Sequence, residues 1–202
     1  MIVTNIEPVT KTKFKIAIDE KFAFVLYKGE IRKYGIKVNC EIAQKVYTEL
    51  MSQVLPKRAK LRCMNLLKSK DYTVMQLQRK LKQGMYPDEI IEEALAYVAS
   101  FHYTDDVRYA VDYIQTHHMG RSKRRIENDL QQKGIAKDVI QKAWMQWEED
   151  GNEQDEDAQI EELLTKKNFS PQNADAKEIQ RMYGFLARRG YSQDKICKAL
   201  RK

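Results

Sequence analysis

The sequence predicts a mostly α-helical protein: three tandem three-helix repeats forming an elongated curved array, with a small N-terminal β-hairpin and helix in front of them. Three observations predict it. From Pro56 onward, apolar residues recur at helical spacing in a pattern that returns three times, as stacked helical units require. Before Pro56, residues 13–18 and 22–26 alternate with period two, as hairpin strands do. A charged fraction of 32% with only 8 Gly and 4 Pro in 202 residues favours long, surface-rich helices over a sandwich or barrel.

The N-terminal extension is placed at 1–55. Lys13-Phe14-Lys15-Ile16-Ala17-Ile18 forms one strand, Asp19-Glu20-Lys21 a turn, and Phe22, Phe24 and Leu26 one face of the next strand. A third short strand is expected near Glu30 to Tyr34. So small a sheet is marginal alone, so its apolar face is expected to pack on the following helix. That helix is placed at 39–55, with Ile42, Val46, Leu50 and Met51 on one side. Pro56 either breaks it or stands in the first turn of the next.

The first repeat, 56–103, is expected to hold helices at 57–69, 73–83 and 87–101, marked by a Thr73/Gln76 capping box and by Pro87 at a first helical position. The second, 104–150, has helices at 105–118, 122–133 and 137–149. The third, 151–202, has helices at 155–167, 171 or 175 to 189, and 193–200. Apolar pairs four apart mark the middle helices: Leu77/Leu81, Ile126/Leu130 and Met182/Leu186. Gly84, Gly134 and Gly190 follow them, and Ile90, Ile140 and Ile196 stand six residues further on. Ile90 to Ala110 and Ile140 to Ile160 both span 20 residues, a constant step that suits units stacked in one way. Acidic residues with Gly151 and Asn152 make 150–157 the expected flexible joint.

Composition bounds the function. The 36 basic and 29 acidic residues leave a net charge of +7. The third quarter, 104–150, balances 8 basic against 9 acidic residues, yet it holds the densest basic cluster, and a polyanion senses local arrangement within a Debye length of about 8–10 Å. No run of about 18 apolar residues exists to span a membrane, and the N-terminus lacks the regions of a signal peptide. A cytoplasmic protein without membrane contact is expected. Cys40, Cys63 and Cys197 are scattered and in no C-x-x-C spacing, so they read as reduced thiols.

Reactive constellations are absent from the pattern. His117 and His118 are adjacent and cannot share a helix face as a zinc pair would. Asp105-Asp106 stands where a helix N-terminus favours acids. No phosphate-cradling glycine loop and no nucleophile elbow occurs. No catalytic residue, cofactor or metal site is therefore expected. Trp144, Trp147, Tyr109 and Tyr113 fall at helical spacing and read as core.

The stretch from Tyr103 to Ile135 carries the most information. Thr104 is expected to cap a helix with Asp105 and Asp106 in its first turn, and Val107, Ala110, Val111 and Ile114 form its apolar stripe. It stops near Met119-Gly120, and Arg121, Lys123, Arg124 and Arg125 precede Ile126 on the next helix. Four charges there oppose the helix dipole, a local cost of the kind kept for a partner surface. Arg124 and Arg125 lie about 200° and 100° from Ile126 around the helix, so neither needs burial. Lys57, Arg58, Lys60 and Arg62, and Arg188 with Arg189, are the basic clusters of the other repeats. Lys57 to Arg62 reads equally well as a solvated helix face.

An aromatic-Thr-Asp-Asp-x-x-Tyr-Ala helix start, followed by Gly-Arg-x-x-Arg-x-Ile-x-x-x-Leu-x-x-Lys-Gly-Ile and flanked by similar units, resembles the bacterial RecX family over 56–202. The resemblance implies a modulator of the RecA recombinase, one that binds its filament and affects, chiefly inhibits, ATP hydrolysis and DNA strand exchange in recombination and repair. Weak, nonspecific binding of single- and double-stranded DNA through the basic clusters, and a monomer in isolation, go with it. The alternative is a helix-turn-helix-like protein acting directly on DNA. Against sequence-specific contact, Ser122 to Leu130 offers mainly arginine and lysine, which suit phosphates better than base edges.

Overall fold

A computed structural model describes residues 1–201. The chain forms two compact bodies, Met1–Asp105 and Asp106–Lys202. In the first, strands β1 (Val3–Pro8), β2 (Lys13–Ile18) and β3 (Lys21–Tyr27) make an antiparallel sheet in the order β1-β2-β3. The hairpin stands as expected, but the third strand is β1, ahead of it. The segment expected as that strand instead enters helix α1 (Lys28–Lys33). Glu30 decides this: its carboxylate accepts the Tyr27 backbone N–H at 2.7 Å and so closes the first turn.

The next helix starts later than periodicity suggests, because residues 39–42 are recruited by the N-terminus. Val3 N–H donates to the Cys40 carbonyl at 3.0 Å, and Ile42 N–H to Met1 at 3.0 Å. Helix α2 (Gln44–Glu49) then runs through a π-helical turn (Leu50–Val54) into α3 (Leu55–Leu67) without a break. Pro56 sits in the first turn of α3 and is buried. Proline has no N–H and its ring clashes with the carbonyl four residues back in a regular α-helix. The wider turn, in which Leu55 N–H bonds Leu50 O, relieves that clash while keeping Leu50 and Leu55 both buried. Helices α4 (Val74–Gln83) and α5 (Asp88–Ser100) complete the body. Ile16, Phe24 and Leu26 of the sheet share one core with Leu50, Ala59, Leu77, Leu81 and Ile91.

The second body holds α6 (Asp106–His117), a 3-10 turn (His118–Gly120), α7 (Lys123–Gln132), α8 (Lys137–Glu149), α9 (Glu156–Lys166), α10 (Ala176–Arg188) and α11 (Gln193–Leu200). Helix α6 begins at Asp106, one residue beyond the position Thr104 would cap, and Thr104 Oγ1 is buried without a hydrogen-bond partner. The middle helices are capped by side chains: Thr73 on Gln76 N–H, Ser122 on Arg125 N–H and Asp175 on Glu178 N–H. Thus α10 starts at the later of its two expected positions.

After each middle helix one residue takes positive φ: Met85 at 55°, Gly134 at 90° and Gly190 at 89°. Gly84 is not among them, so the repeat register in the first unit runs one residue later than the glycines suggest. Ile91 then corresponds to Ile140 and Ile196, each four residues past its N-cap. Two separate cores result in this body. Ala110, Ile114, Ile126, Leu130, Trp144 and Trp147 form one, and Ile160, Met182, Leu186, Tyr191 and Ile196 the other.

Candidate partner-binding surface

The second basic cluster lies where these two cores meet, and the contact there is polar. Asp129, 8% exposed, is the buried acceptor. Arg121 Nη1 donates to its Oδ2 at 2.7 Å and to the Tyr113 hydroxyl oxygen at 2.8 Å. Arg125 Nε approaches Asp129 Oδ1 at 3.1 Å. Burial, and then the Asp129 charge, raise the Tyr113 hydroxyl above its ordinary range, which keeps it a neutral donor. Lys123 Nζ pairs with Glu148 at 3.3 Å and lies 4.7 Å from the centre of the Trp144 ring.

The α10–α11 turn closes on this cluster. Ser122 N–H donates to the Arg189 carbonyl at 3.1 Å. A Cβ at Gly190 would come within 2.5 Å of Ser122 Oγ and 2.6 Å of Arg125 Cβ. Glu156 accepts Lys123 N–H at 3.0 Å with one oxygen and Lys195 Nζ at 2.9 Å with the other. Gln154 Nε2 donates to the Arg121 carbonyl at 3.1 Å, and Asn152 Nδ2 to the Trp147 carbonyl at 2.9 Å. Residues 150–157, expected to be a flexible joint, are tied at both ends by these bonds. Tyr191 donates to Gln159 at 3.2 Å, and burial with the nearby Glu156 charge pushes its hydroxyl up to about 12.

Charge pairing therefore divides the ten basic candidates. Arg58 bonds Glu30 at 2.9 Å and the Val25 carbonyl at 2.5 Å, and Lys60 bonds Glu93 at 2.7 Å. Arg121, Lys123 and Arg125 are paired as described, and the Arg189 guanidinium lies 3.8 Å from the Phe185 ring centre. Lys57, Arg62, Arg124 and Arg188 are exposed and make no ion pair among the described residues. Sequence reasoning located the charges but missed Asp129, Gln159, Tyr191 and the joint they build. One signal was available: Asp129 stands four residues after Arg125, a spacing that pairs on a helix.

Trp144, Trp147, Tyr109 and Tyr113 pack in or against the core of the second body. Trp147 is 1% exposed and donates to Gln115 at 2.6 Å, and Tyr113 stacks on His117 at 4.0 Å. No group of three His, Cys, Asp or Glu side chains able to hold a metal ion occurs among the described residues. None of the helices among them is long and apolar enough to cross a membrane.

The three helical units are similar to those of known proteins. Residues 59–97, 105–143 and 154–200 match family models for the first, second and third three-helix domains of RecX. The chain is 34% identical over 137 residues to the "Regulatory protein RecX" of Vibrio parahaemolyticus, covering 67% of this chain and 84% of that one. It is 29% identical over 202 residues to that of Caldanaerobacter subterraneus subsp. tengcongensis, covering 99% and 98%. A crystal structure of regulatory protein RecX matches the fold with a TM-score of 0.62 at 20% identity, over 100% of this chain and 99% of the other. RecX from Lactobacillus salivarius matches with 0.54 at 18% identity, over 73% and 96%.

Proposed function

This chain belongs to the RecX family, and on that premise we propose that it is a regulatory protein that binds RecA recombinase filaments and lowers their ATP hydrolysis and strand exchange. The observation that carries the proposal is the presence of all three RecX three-helix domains, in order, in one chain. Relatives similar to it over most of their length are named regulatory proteins.

The free cations Lys57, Arg62, Arg124 and Arg188 are the proposed contacts to acidic filament surface or to the DNA it carries. Ion-paired Arg58, Lys60, Arg121, Lys123 and Arg125 shape the surface, as does Arg189 over the Phe185 ring. Direct, sequence-specific DNA reading through α7 is disfavoured, because two of its three clustered cations, Lys123 and Arg125, are engaged within the body, as is Arg121 just before it. DNA binding is expected to be weak, indifferent to sequence and to fall with salt by roughly 0.7–0.9 log unit per log unit of salt for each phosphate contact.

Binding is tested by fluorescence anisotropy of the labelled chain against RecA filaments assembled on poly(dT) with a non-hydrolysable ATP analogue. Saturable binding to filaments that exceeds binding to poly(dT) alone is the expected result. Equal binding to filament and bare DNA would remove RecA as the partner.

A further inference from the structure

The first body contains a cleft of ≈ 480 Å³ bounded by residues of β2, β3, α3 and α4. Its charged lining is Lys13, Arg58, Arg62 and Lys80, and no carboxylate lines it among the described residues. Arg58 is paired with Glu30, and the other three, which make no ion pair among the described residues, leave a positive field in the concavity. Arg58 and Arg62 are one helical turn apart, about 6 Å along α3, and so present their charges in a row.

One of the four is held rigidly. The Arg58 guanidinium bonds Glu30 and the Val25 carbonyl, and lies 5.0 Å from the Tyr27 ring centre and 5.5 Å from that of Tyr86. Gly84 makes room for this arrangement. A Cβ there would come 2.9 Å from the Tyr86 ring and 3.1 Å from the Leu81 carbonyl oxygen, and would displace Tyr86. Arg62 and Lys80, by contrast, are exposed and make no ion pair among the described residues.

We propose that this cleft, built jointly by the N-terminal sheet and the first three-helix unit, binds the phosphodiester backbone of a single nucleic-acid strand. Arg62 and Lys80 contact phosphates, and Arg58, held in place by Glu30 and the Val25 carbonyl, forms the rigid floor beneath them. The nearby ring faces favour a backbone over a nucleotide read by its base. Arg58 and Lys13, whose Nζ lies 5.4 Å from its centre, lie over the ring of Tyr27, which is 38% exposed, and Arg58 lies over that of Tyr86. With Leu61 exposed and both tyrosines overlaid by cations, no slot encloses a base, and charge without base stacking follows the chain of phosphates. The assignment deepens the DNA half of the function proposed above and rests on it. It is tested without recombinase, so that its failure and the failure of the filament proposal are read separately.

The experiment measures fluorescein-labelled oligo(dT) binding to the full chain as salt is raised. The variant Arg62→Glu/Lys80→Glu is compared with Lys45→Glu/Lys68→Glu, which makes the same charge change at exposed positions outside the cleft. Circular dichroism confirms that both variants fold. The cleft variant should bind at least about tenfold more weakly per lost contact and lose roughly 1.4 from the log–log salt slope, while the control stays within about threefold of the parent. Equal weakening of both variants would reduce the effect to net charge and overturn the assignment. Displacement of oligo(dT) by equimolar tripolyphosphate would overturn it in favour of a small-phosphate site, and failure of the cleft variant to differ from the parent would remove the site altogether.

Discussion

At the residue scale, a few side chains determine how the second body closes. Gly190 combines φ of +89° with no space for a Cβ, whereas Gly151 has φ of +84° and open space around it. The left-handed backbone alone costs an L-residue roughly 1–2 kcal/mol, and forcing a methyl into a filled site adds about 1–3 kcal/mol. Gly190→Ala should therefore lower stability in urea unfolding by clearly more than Gly151→Ala. Equal losses would mean that the α10–α11 turn does not press on Ser122 and Arg125. The arginines separate in the same way. Arg121→Ala removes one of the two arginines that pair with the buried Asp129 carboxylate, leaving Arg125, and should destabilise by about 1–3 kcal/mol, while Arg124→Ala should stay within about 0.5 kcal/mol. From periodicity alone Arg124 and Arg125 are equivalent, since neither faces the core. The structure divides them, because Arg125 reaches Asp129 and Arg124 does not, so replacing both would test folding and partner binding at once.

At the element scale, the helical units were legible because each repeats a 3.6-residue apolar pattern between a cap and a turn. What was illegible is where local signals are weak or partners are distant. Val-Thr-Asn-Ile-Glu-Pro hardly alternates, and β1 exists through its pairing with β2. Gly84 looks like Gly134 and Gly190 in sequence but serves space rather than conformation, with Met85 taking the positive φ. Composition alone predicts a flexible joint at residues 150–157. Asn152 is anchored locally on Trp147, but the anchors of Gln154 and Glu156 lie 33 residues back along the chain, at Arg121 and Lys123, beyond any local pattern. The π-turn before Pro56 yields a prediction of its own. Deleting exposed Gln53 would return Leu50 and Leu55 to the four-residue spacing of a regular helix and place the proline ring against a carbonyl, at about 3 kcal/mol. Pro56→Ala should recover much of that loss in the deletion background, as read by thermal unfolding. Absence of recovery would show that the turn has another cause than Pro56.

At the scale of the whole molecule, the charges readable in sequence and the charges available to a partner differ. Half of the ten candidates are spent in ion pairs inside their own bodies. The free ones are spread over all three helical units, which suits a partner with repeated acidic or phosphate features better than one point contact. A RecA filament on single-stranded DNA is such a partner. Its most direct test is a titration of this chain into DNA-stimulated ATP hydrolysis by RecA at physiological salt. The rate should fall progressively as the chain approaches one per recombinase subunit, with no hydrolysis by the chain itself. An unchanged rate across the titration, with filaments shown to be present, would contradict regulation of RecA by this protein.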